Sequence, residues 1–350
     1  MKKVDTIIVG IGIAGVCFAE KLVQNKKSFY VIDNKKTGSS KIAAGIFNPT
    51  VLKRYNMTWN GEQFHKNAIT FFKKIENKYK KKIIFNHDIL KIFSSISDQN
   101  NWIVASKKPL LKNFLDSKIY TKKIKGIKTE FGYGVVNKCG RISILNMING
   151  FKNKFKNNLL YEDFDFKKLS SQDNKIVYNN IVSENIVFCE GHDIIYNPFF
   201  KNLPVTGSKG EFLIVKISNF SLNKIIKRSS IFIMPLENEH YWVGATYDNS
   251  DKKNKPTQKK KEWLIEKLES IITLPYKIID HKAGMRPTTI DRRPMIGFHP
   301  DYKNIYLLNG LGSRGILLAP TLSFWLYNYI YKGLPFPEEV DLNRFKEIKV

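Results

Sequence analysis

Cysteine is scarce in this chain of 350 residues, which holds only Cys17, Cys139 and Cys189. They are odd in number and widely spaced, so a framework of disulfides typical of small secreted proteins is excluded. No cluster of histidines and cysteines has the spacing of metal ligands, so no metal site is expected. We therefore expect reduced, mostly buried thiols and a cytoplasmic protein.

Long uncharged runs are also few. The stretch 315–331 contains Pro320, Asn328 and several aromatic residues, and it fits a buried helix better than a membrane span. Lys2 and Lys3 before an apolar run resemble the start of a signal peptide, but Asp5 interrupts that pattern. No membrane span is therefore expected.

Acidic residues and arginine are both under-represented. The chain has 31 acidic and 58 basic residues, a net charge of +27, and only eight of the basic residues are arginine. A basic surface can bind nucleic acid or an anionic membrane, but no arginine-rich tract or basic motif with interleaved aromatics occurs. Compositional drift toward lysine is the favoured interpretation, and a functional basic surface stays open.

The first 33 residues carry the most informative pattern. An apolar strand at 4–9 leads directly into Gly10-Ile11-Gly12-Ile13-Ala14-Gly15, a helix-period segment follows to about residue 26, and a second apolar run at 28–32 ends at Asp33. Gly10 suits a tight turn, Gly12 a close approach to a pyrophosphate, and Gly15 close packing of helix on strand. The helix N-terminus favours phosphate, and Asp33 can accept hydrogen bonds from a ribose. The pattern predicts a dinucleotide site.

The rest of the chain divides by character. Helices are expected near 61–78, 142–155, 259–271 and 315–331, and strands near 83–96, 159–164, 175–178, 185–189, 210–217, 230–234, 241–246 and 305–308. The predicted fold class is α/β (α+β overall): a Rossmann-like nucleotide-binding domain built from separated segments, with an inserted, mostly antiparallel substrate domain. We assign residues 1–82, 138–204 and 284–350 to the first domain, and residues 83–137 and 205–283 to the second.

Four further segments narrow the chemistry. They are Ser39–Phe47, Pro204–Glu211, AGMRPTTIDRRPMIG at 283–297 and NGLGSRGILLAP at 309–320. In order along nearly the whole chain, and together with the N-terminal fingerprint, they resemble the D-amino-acid oxidase superfamily of FAD enzymes, and within it the glycine oxidase group. A similar C-terminal signature occurs in the FAD domain of the bifunctional enzyme that modifies wobble uridine in tRNA.

The resemblance implies a non-covalent FAD and a set of residues that contact it. These are Gly10, Gly12, Ile13, Ala14, Gly15, Asp33, Asn34, Ser39, Ser40, Ala43, Ala44, Gly45, Ile46, Phe166, Gly191, Gly310, Gly312, Ser313, Arg314, Gly315 and Ile316. The turn at 310–316 would place N–H groups and a helix dipole near the pyrimidine end of the flavin.

The resemblance also implies a substrate pocket formed by Ile46, Phe232, Tyr247 and Arg286. Arg286 stands where glycine oxidases bind the substrate carboxylate, and a guanidinium can grip a carboxylate with two hydrogen bonds. Arg314 is the second catalytic candidate, because it could contact flavin, substrate or a nearby carboxylate. Phe232 replaces a tyrosine of glycine oxidases and cannot donate a hydrogen bond, which argues against glycine itself as the preferred substrate.

The implied function is oxidation of the carbon–nitrogen bond of a small amine or amino acid by hydride transfer to flavin N5, after which the imine is hydrolysed. The partners are then an amine and either O₂ or another electron acceptor. Two alternatives stay open. One is a tRNA wobble-uridine side-chain oxidase that uses the basic charge for docking, and the other is an NAD-dependent dehydrogenase.

Overall fold

The computed structural model describes residues 1–172 and 175–345. Within these residues the helices are α1 (Ile13–Gln24), α2 (Ser39–Ile42), α3 (Gly61–Tyr79), α4 (Ile96–Ser106), α5 (Ile144–Lys154), α6 (Gln258–Glu269) and α7 (Gly315–Lys332). The strands are β1 (Lys2–Val9), β2 (Phe29–Ile32), β3 (Ile46–Phe47), β4 (Thr50–Val51), β5 (Asn56–Met57), β6 (Ile84–Asn86), β7 (Ile89–Ile92), β8 (Tyr133–Val136), β9 (Gly140–Ile142), β10 (Leu159–Leu160), β11 (Leu169–Gln172), β12 (Lys175–Tyr178), β13 (Ile181–Phe188), β14 (Ser208–Lys216), β15 (Ile225–Arg228), β16 (Ile231–Pro235), β17 (His240–Gly244), β18 (Lys277–Arg286), β19 (Met295–Phe298) and β20 (Ile305–Asn309).

The first of two large sheets has the order β10-β2-β1-β13-β12-β11, with β20 paired to β13 and β19 to β20. Strands β2, β1, β13 and β20 run parallel, so their carboxyl ends meet at one edge. Gly10, Asp33, Cys189 and Gly310 each follow the last residue of one of these strands. Ligands of open α/β sheets bind at this edge, so the topology places the predicted cofactor segments together.

The second sheet has the order β18-β14-β17-β16-β15-β7-β8 and is antiparallel except where β15 meets β7. Odd-numbered residues of β14, β16 and β17 such as Leu213, Ile233 and Val243 are buried in a core with Leu264 and Leu268 of α6. Their even-numbered residues turn to the opposite face, toward the first sheet, because successive side chains of a strand point to opposite faces. In β18 a register shift opposite Ile214 and Val215 places Ile278 against the core, while the even-numbered residues from Asp280 onward take the opposite face.

Helix α7 packs against α1 and α3. Its uncharged sequence is explained by burial: Leu317, Ala319 and Leu322 lie in the same core as Val16 and Phe72. Pro320 stands in the second turn, and Gly333 with φ 65° ends the helix. Among the described residues, no helix combines the length and apolar character needed to cross a bilayer.

The fold class predicted from the sequence is confirmed, and the element bounds differ in places. The segment 83–96 is two short strands, β6 and β7, instead of one, and helix α4 after it was not predicted. The strand expected at 159–164 is only the two residues of β10, because β10 pairs with the last two residues of β2, which ends at Ile32. The boundaries of the two domains stay a prediction.

Candidate active site

A cavity of about 980 Å³ lies between the carboxyl edge of the first sheet and the even-numbered face of the second. It is large enough for a dinucleotide and a small substrate, because drug-sized ligands occupy roughly 300–1,000 Å³. The predicted site residues that line it are Gly10, Gly12, Ile13, Ala14, Asp33, Asn34, Ser39, Ser40, Ala43, Ala44, Gly45, Ile46, Phe166, Gly191, Phe232, Tyr247, Arg286, Gly312, Ser313, Arg314, Gly315 and Ile316.

Two predicted cofactor residues, Gly15 and Gly310, lie behind the wall of the cavity instead of lining it. A Cβ on Gly15 would stand 2.0 Å from the carbonyl oxygen of Gly10, so this glycine lets α1 pack on the first turn. A Cβ on Gly310 would stand 2.9 Å from Cγ2 of Thr289. Both glycines support the shape of the site through backbone packing.

The glycine turn after β1 forms one end of the cavity. Gly10 has φ 100°, in the region that favours glycine, and a Cβ there would stand 2.7 Å from the carbonyl oxygen of Cys189. At Gly12 a Cβ would meet only Ser40 Oγ, at 3.1 Å, so the absent side chain leaves space on the cavity side. Ser40 Oγ also accepts a hydrogen bond from the N–H of Ile13 at 3.1 Å. This cradle at the N-terminus of α1 fits a pyrophosphate.

Asp33 at the end of β2 is the buried acid of the fingerprint, with 7% of its surface exposed. Its Oδ1 accepts a long hydrogen bond of 3.4 Å from the N–H of Ile11. Its Oδ2 lies 3.5 Å from Nζ of Lys152 but accepts no hydrogen bond among the described residues. A buried carboxylate oxygen without a donor is uncommon, and a ribose hydroxyl would supply the missing donor.

The loop after β13 brings a second, partly buried acid to the same end of the cavity. Glu190 lines the cavity and accepts a hydrogen bond from the Asn197 side-chain amide at 2.7 Å. Burial raises the pKa of Glu190 to about 7; the bond from Asn197 opposes the shift, and the nearby carboxylate of Asp193 adds to it. A protonated Glu190 would avoid repulsion from the phosphates of a dinucleotide.

Arg286, at the end of β18, occupies the other end of the cavity. Its Nη1 and Nη2 each donate to the carbonyl oxygen of Thr246 over 3.3 Å, and its Cζ lies 4.2 Å from the ring centroid of Tyr247. Among the described residues no carboxylate lies within ion-pairing distance of it. Burial lowers the pKa of Arg286 and Tyr247 opposes the shift, but an arginine stays charged.

Arg314 precedes α7 and lines the same cavity. Its Nη1 donates to the backbone carbonyl of Asn48 at 3.2 Å, and Asn48 is itself fixed by hydrogen bonds from Thr50. Burial lowers the pKa of Arg314, and Tyr247 opposes this shift as well. The first turn of α7 directs its N–H groups to the cavity beside Gly315 and Ile316.

Aromatic side chains of the second sheet complete this end. Phe212, Phe232 and Trp242 line the cavity, and Phe212 stacks on Trp242 with ring centroids 5.2 Å apart. Sequence analysis identified Phe232 but missed the other two. Both lie in strands that the alternation predicted, but only the packing of the sheets shows which face meets the cofactor segments.

The cysteines take no part in this cavity's chemistry, although Cys189 lies in its wall. All three are buried and free, and burial raises the pKa of the Cys139 and Cys189 thiols. A thiol in this state is a poor nucleophile. Among the described residues, no group of three or more potential ligands could hold a metal ion.

Comparison with known proteins gives a family match over residues 5–327, to the DAO family described as FAD dependent oxidoreductase. Glycine oxidase of Bacillus licheniformis is 36% identical over 114 residues, which are 32% of this chain and 31% of that protein. The tRNA 5-methylaminomethyl-2-thiouridine biosynthesis bifunctional protein MnmC of Legionella pneumophila (strain Corby) is 23% identical over 187 residues, 45% of this chain and 28% of that protein. The matches thus span about a third of the length of these curated relatives.

The fold is found in solved structures. The crystal structure of glycine oxidase from Geobacillus kaustophilus superposes with a TM-score of 0.79 and 15% identity, covering 99% of this chain and 98% of that one. At this identity the likeness shows the fold. The family match is what assigns FAD to the chain, and it excludes the NAD-dependent alternative. The dinucleotide fingerprint lines a cavity of sufficient size, and the family match covers nearly the whole chain. The chain therefore belongs to the DAO family of FAD-dependent oxidoreductases.

Proposed function

We propose that the protein oxidises the carbon–nitrogen bond of a small amine that carries a carboxylate. The main support for this proposal is the environment of the Arg286 guanidinium. This guanidinium lines the cavity, is partly buried, and among the described residues has only a carbonyl and an aromatic ring as partners. A substrate carboxylate would supply the charged partner that this group lacks among the described residues.

The residues that would hold FAD are those at the carboxyl edge of the first sheet. The turn at 10–14 would hold the pyrophosphate, Asp33 the adenosine ribose, and the first turn of α7 the pyrimidine end of the flavin. Bound there, FAD would accept one hydride, which carries both electrons, from the carbon that bears nitrogen. The sequence-predicted roles of the individual residues remain part of this proposal.

The chain's own contribution is orientation and exclusion of water. Arg286 would fix the carboxylate and so the position of the carbon to be oxidised. Phe212, Phe232 and Trp242 would keep water away from it. The carboxylates that line the cavity among the described residues all belong to segments of the first sheet's edge, and they are Asp33, Glu162, Asp163, Glu190 and Asp193. An amine that binds neutral needs no base from the protein.

Phe232, which stands where glycine oxidases have a tyrosine, limits which amines fit the cavity. Phe232 lines the cavity and has no hydroxyl that could help to hold a carboxylate. Lys227, its partner on β15, has its Nζ 4.6 Å from the ring centroid but does not line the cavity. The wall is therefore apolar at this point. An amine with an apolar or bulky part fits it better than glycine does.

Three further properties are proposals of the same kind. The electrons of reduced FAD go to O₂ or to another acceptor. The match to MnmC is the observation that keeps a modified tRNA nucleoside as a second candidate substrate, and nothing in the cavity's shape supports a tRNA partner. A cytoplasmic location is consistent with three free cysteines.

An anaerobic screen of amines tests the function. The FAD-loaded protein is mixed with amino acids, N-substituted amino acids and amines without a carboxylate, and bleaching of the flavin absorbance is followed. The proposal expects bleaching by one or more carboxylated amines, and faster turnover in air if O₂ is the acceptor. Bleaching only by amines without a carboxylate would contradict the role of Arg286.

A further inference from the structure

The segment 245–257, which we call the strap, connects β17 to α6 and passes beside the cavity. Its residue Tyr247 lines the cavity and places its ring against the Arg286 guanidinium. The carbonyl oxygen of Thr246, also in the strap, accepts the two hydrogen bonds that Arg286 donates. The conformation of the strap therefore determines the surroundings of the guanidinium that we propose for the substrate carboxylate.

The first part of the strap is joined to β14 by hydrogen bonds. The N–H of Thr246 donates to the carbonyl oxygen of Glu211 at 3.0 Å, and the N–H of Glu211 donates to the Thr246 hydroxyl at 2.9 Å. Lys209 and Asp248 exchange both backbone hydrogen bonds, at 2.7 and 3.0 Å. The Asp248 carboxylate then accepts three hydrogen bonds from residues 250–251 and so fixes the turn that follows.

Charged side chains on the other face of β14, away from the cavity, hold the rest of the strap. Lys209 and Glu211 are 0% and 1% exposed, and neither lines the cavity. Nζ of Lys209 lies 3.0 Å from Glu211 Oε1 and donates to the carboxylate of Asp251 in the strap at 2.7 Å. Glu211 also accepts hydrogen bonds from the N–H and the hydroxyl of Thr257, the last residue of the strap, at 2.8 and 3.0 Å. We call Lys209, Glu211 and Asp251 the ion cluster.

The ion cluster stands where apolar residues would also pack. Burying charged groups costs desolvation, and well-packed apolar residues of similar size often stabilise a fold equally well. Leu213 and Val215, on the same face of β14, share a core with α6. Burial lowers the pKa of Lys209, but its hydrogen bonds to Asp251 and Glu211 raise that pKa above its ordinary value, so the lysine stays charged. Hydrogen bonds between charged groups add geometric specificity, so the ion cluster favours one arrangement of the strap.

We infer that the ion cluster positions Arg286 for the substrate. It holds the strap so that the Thr246 carbonyl and the Tyr247 ring keep the guanidinium directed into the cavity. The members of the ion cluster do not line the cavity, so they act through the strap and do not touch the substrate. The inference rests on the proposed function, because it concerns the group that would bind the substrate carboxylate.

Asp251 is the member of the ion cluster best suited to a test. Its side chain is 30% exposed, and its replacement leaves the buried pair of Lys209 and Glu211 in place. In the FAD-loaded protein, Asp251→Asn is expected to raise the dissociation constant of propionate about three- to tenfold, as measured by flavin absorbance, and to leave FAD affinity unchanged. Asp251→Glu, which keeps the charge, should weaken propionate binding less.

Two further variants support this measurement. Asp88→Asn is the matched control, because Asp88 forms an ion pair with Lys224, has 35% of its side chain exposed and does not line the cavity. It should leave propionate binding as it is. Thr257→Val keeps every charge and removes only the hydroxyl that donates to Glu211, and it should raise the dissociation constant about twofold. This variant tests the inference even if Asp251→Asn does not fold.

A double-variant comparison separates positioning of Arg286 from general loosening of the protein. If the ion cluster acts through Arg286, Asp251→Asn should change propionate binding by less than about twofold in the Arg286→Met background, because the effects of coupled residues do not add. Arg54→Met is the matched control for Arg286→Met, because Arg54 is exposed and does not line the cavity. In that background Asp251→Asn should have its full effect.

Other outcomes separate this inference from the function on which it rests. If Arg286→Met weakens propionate binding but neither Asp251→Asn nor Thr257→Val does, the inference is wrong and the proposed function stands. The inference is also wrong if Asp251→Asn weakens FAD as strongly as propionate, or if it has its full effect in the Arg286→Met background. Propionate binding that is unchanged in Arg286→Met would overturn both.

Discussion

Arg286 is the residue on which the substrate assignment depends. Its position at the end of β18, opposite Ser208 of β14, is set by strand register, and Gly210 leaves it room, since a Cβ there would stand 2.1 Å from Nη2. Any larger residue at 210 would displace the guanidinium. The sequence motif identified Arg286, but its place beside Gly210 and Tyr247 depends on pairing between segments that lie far apart in the chain.

Replacing Arg286 should weaken binding of carboxylates and spare the flavin. For Arg286→Met we expect the dissociation constant of propionate to rise about 10- to 100-fold, because a charged hydrogen-bonded contact contributes about 1.5–3 kcal/mol. Titration followed by flavin absorbance measures this, with Arg54→Met as the control. An unchanged dissociation constant in Arg286→Met would remove this residue from the site.

Glu190 should make stability depend on pH. Its pKa is raised from 4.5 to about 7, so between these values the native state holds a proton that the unfolded state has released. Stability must then fall as pH rises through this window. Glu190→Gln does not lose this stability. Between about pH 5 and about pH 8 its free energy of unfolding should therefore rise by about 1–3 kcal/mol relative to that of the unaltered protein.

Chemical denaturation of the flavin-free protein at several pH values measures this difference. Asp193→Asn serves as a second comparison, because Asp193 raises the pKa of Glu190 and its removal should narrow the window. Parallel pH profiles for Glu190→Gln and the unaltered protein would mean that Glu190 titrates normally.

At the scale of elements, local sequence patterns predicted the segments at the carboxyl edge of the first sheet. They failed to predict elements whose structure depends on tertiary packing. The strand, glycine turn, helix and acid of residues 4–33 were predicted because each piece has its own sequence signature. Helix α4 was missed because only Trp102, Ala105 and Ser106 are buried in it. One signal was available: Ser95 caps the helix by accepting a hydrogen bond from the N–H of Asp98 at 3.2 Å.

The two glycines of the first turn should respond differently to alanine. Gly15→Ala places a Cβ 2.0 Å from backbone oxygen, so α1 must shift and stability should fall by about 1–3 kcal/mol or more. Gly12→Ala meets only the movable Ser40 Oγ at 3.1 Å, so the fold should remain stable while FAD affinity falls. Thermal unfolding of the flavin-free proteins and titration with FAD separate the two effects. Equal loss of FAD affinity without destabilisation in both variants would contradict this division.

At the scale of the whole molecule, the net charge of +27 is spread mostly over lysines. The sequence predicted the fold class, and most of the residues it proposed for the site line the cavity. It could not show that the cavity-lining acids follow strands of the first sheet while Arg286 and Arg314 reach the cavity from β18 and α7. That separation arises because β18 and α7, distant in sequence from residues 10–33, meet the same cavity. The spacing of residues along the sequence does not show which distant segments line the same cavity.

The diffuse charge should matter little for a small substrate. We expect kcat/KM for an amine to change only mildly with salt, because exposed charges are screened within about 10 Å at 0.1 M salt. A tRNA substrate would instead lose affinity steeply and log-linearly with salt. Gel-shift titration with tRNA at two salt concentrations decides between them. Tight, salt-steep binding coupled to flavin reduction by modified tRNA would favour the tRNA candidate.

The central claim is that a carbon–nitrogen bond of a carboxylated amine is oxidised in this cavity. It is tested most directly by the stoichiometry of one anaerobic half-reaction with the best amine from the screen. The account predicts that each flavin reduced releases one equivalent of ammonia or amine and one of a carbonyl acid, and that Arg286→Met shows the same products at a much higher amine concentration. Flavin reduction by hydroxy acids with no nitrogen released, and none by any carboxylated amine, would contradict it.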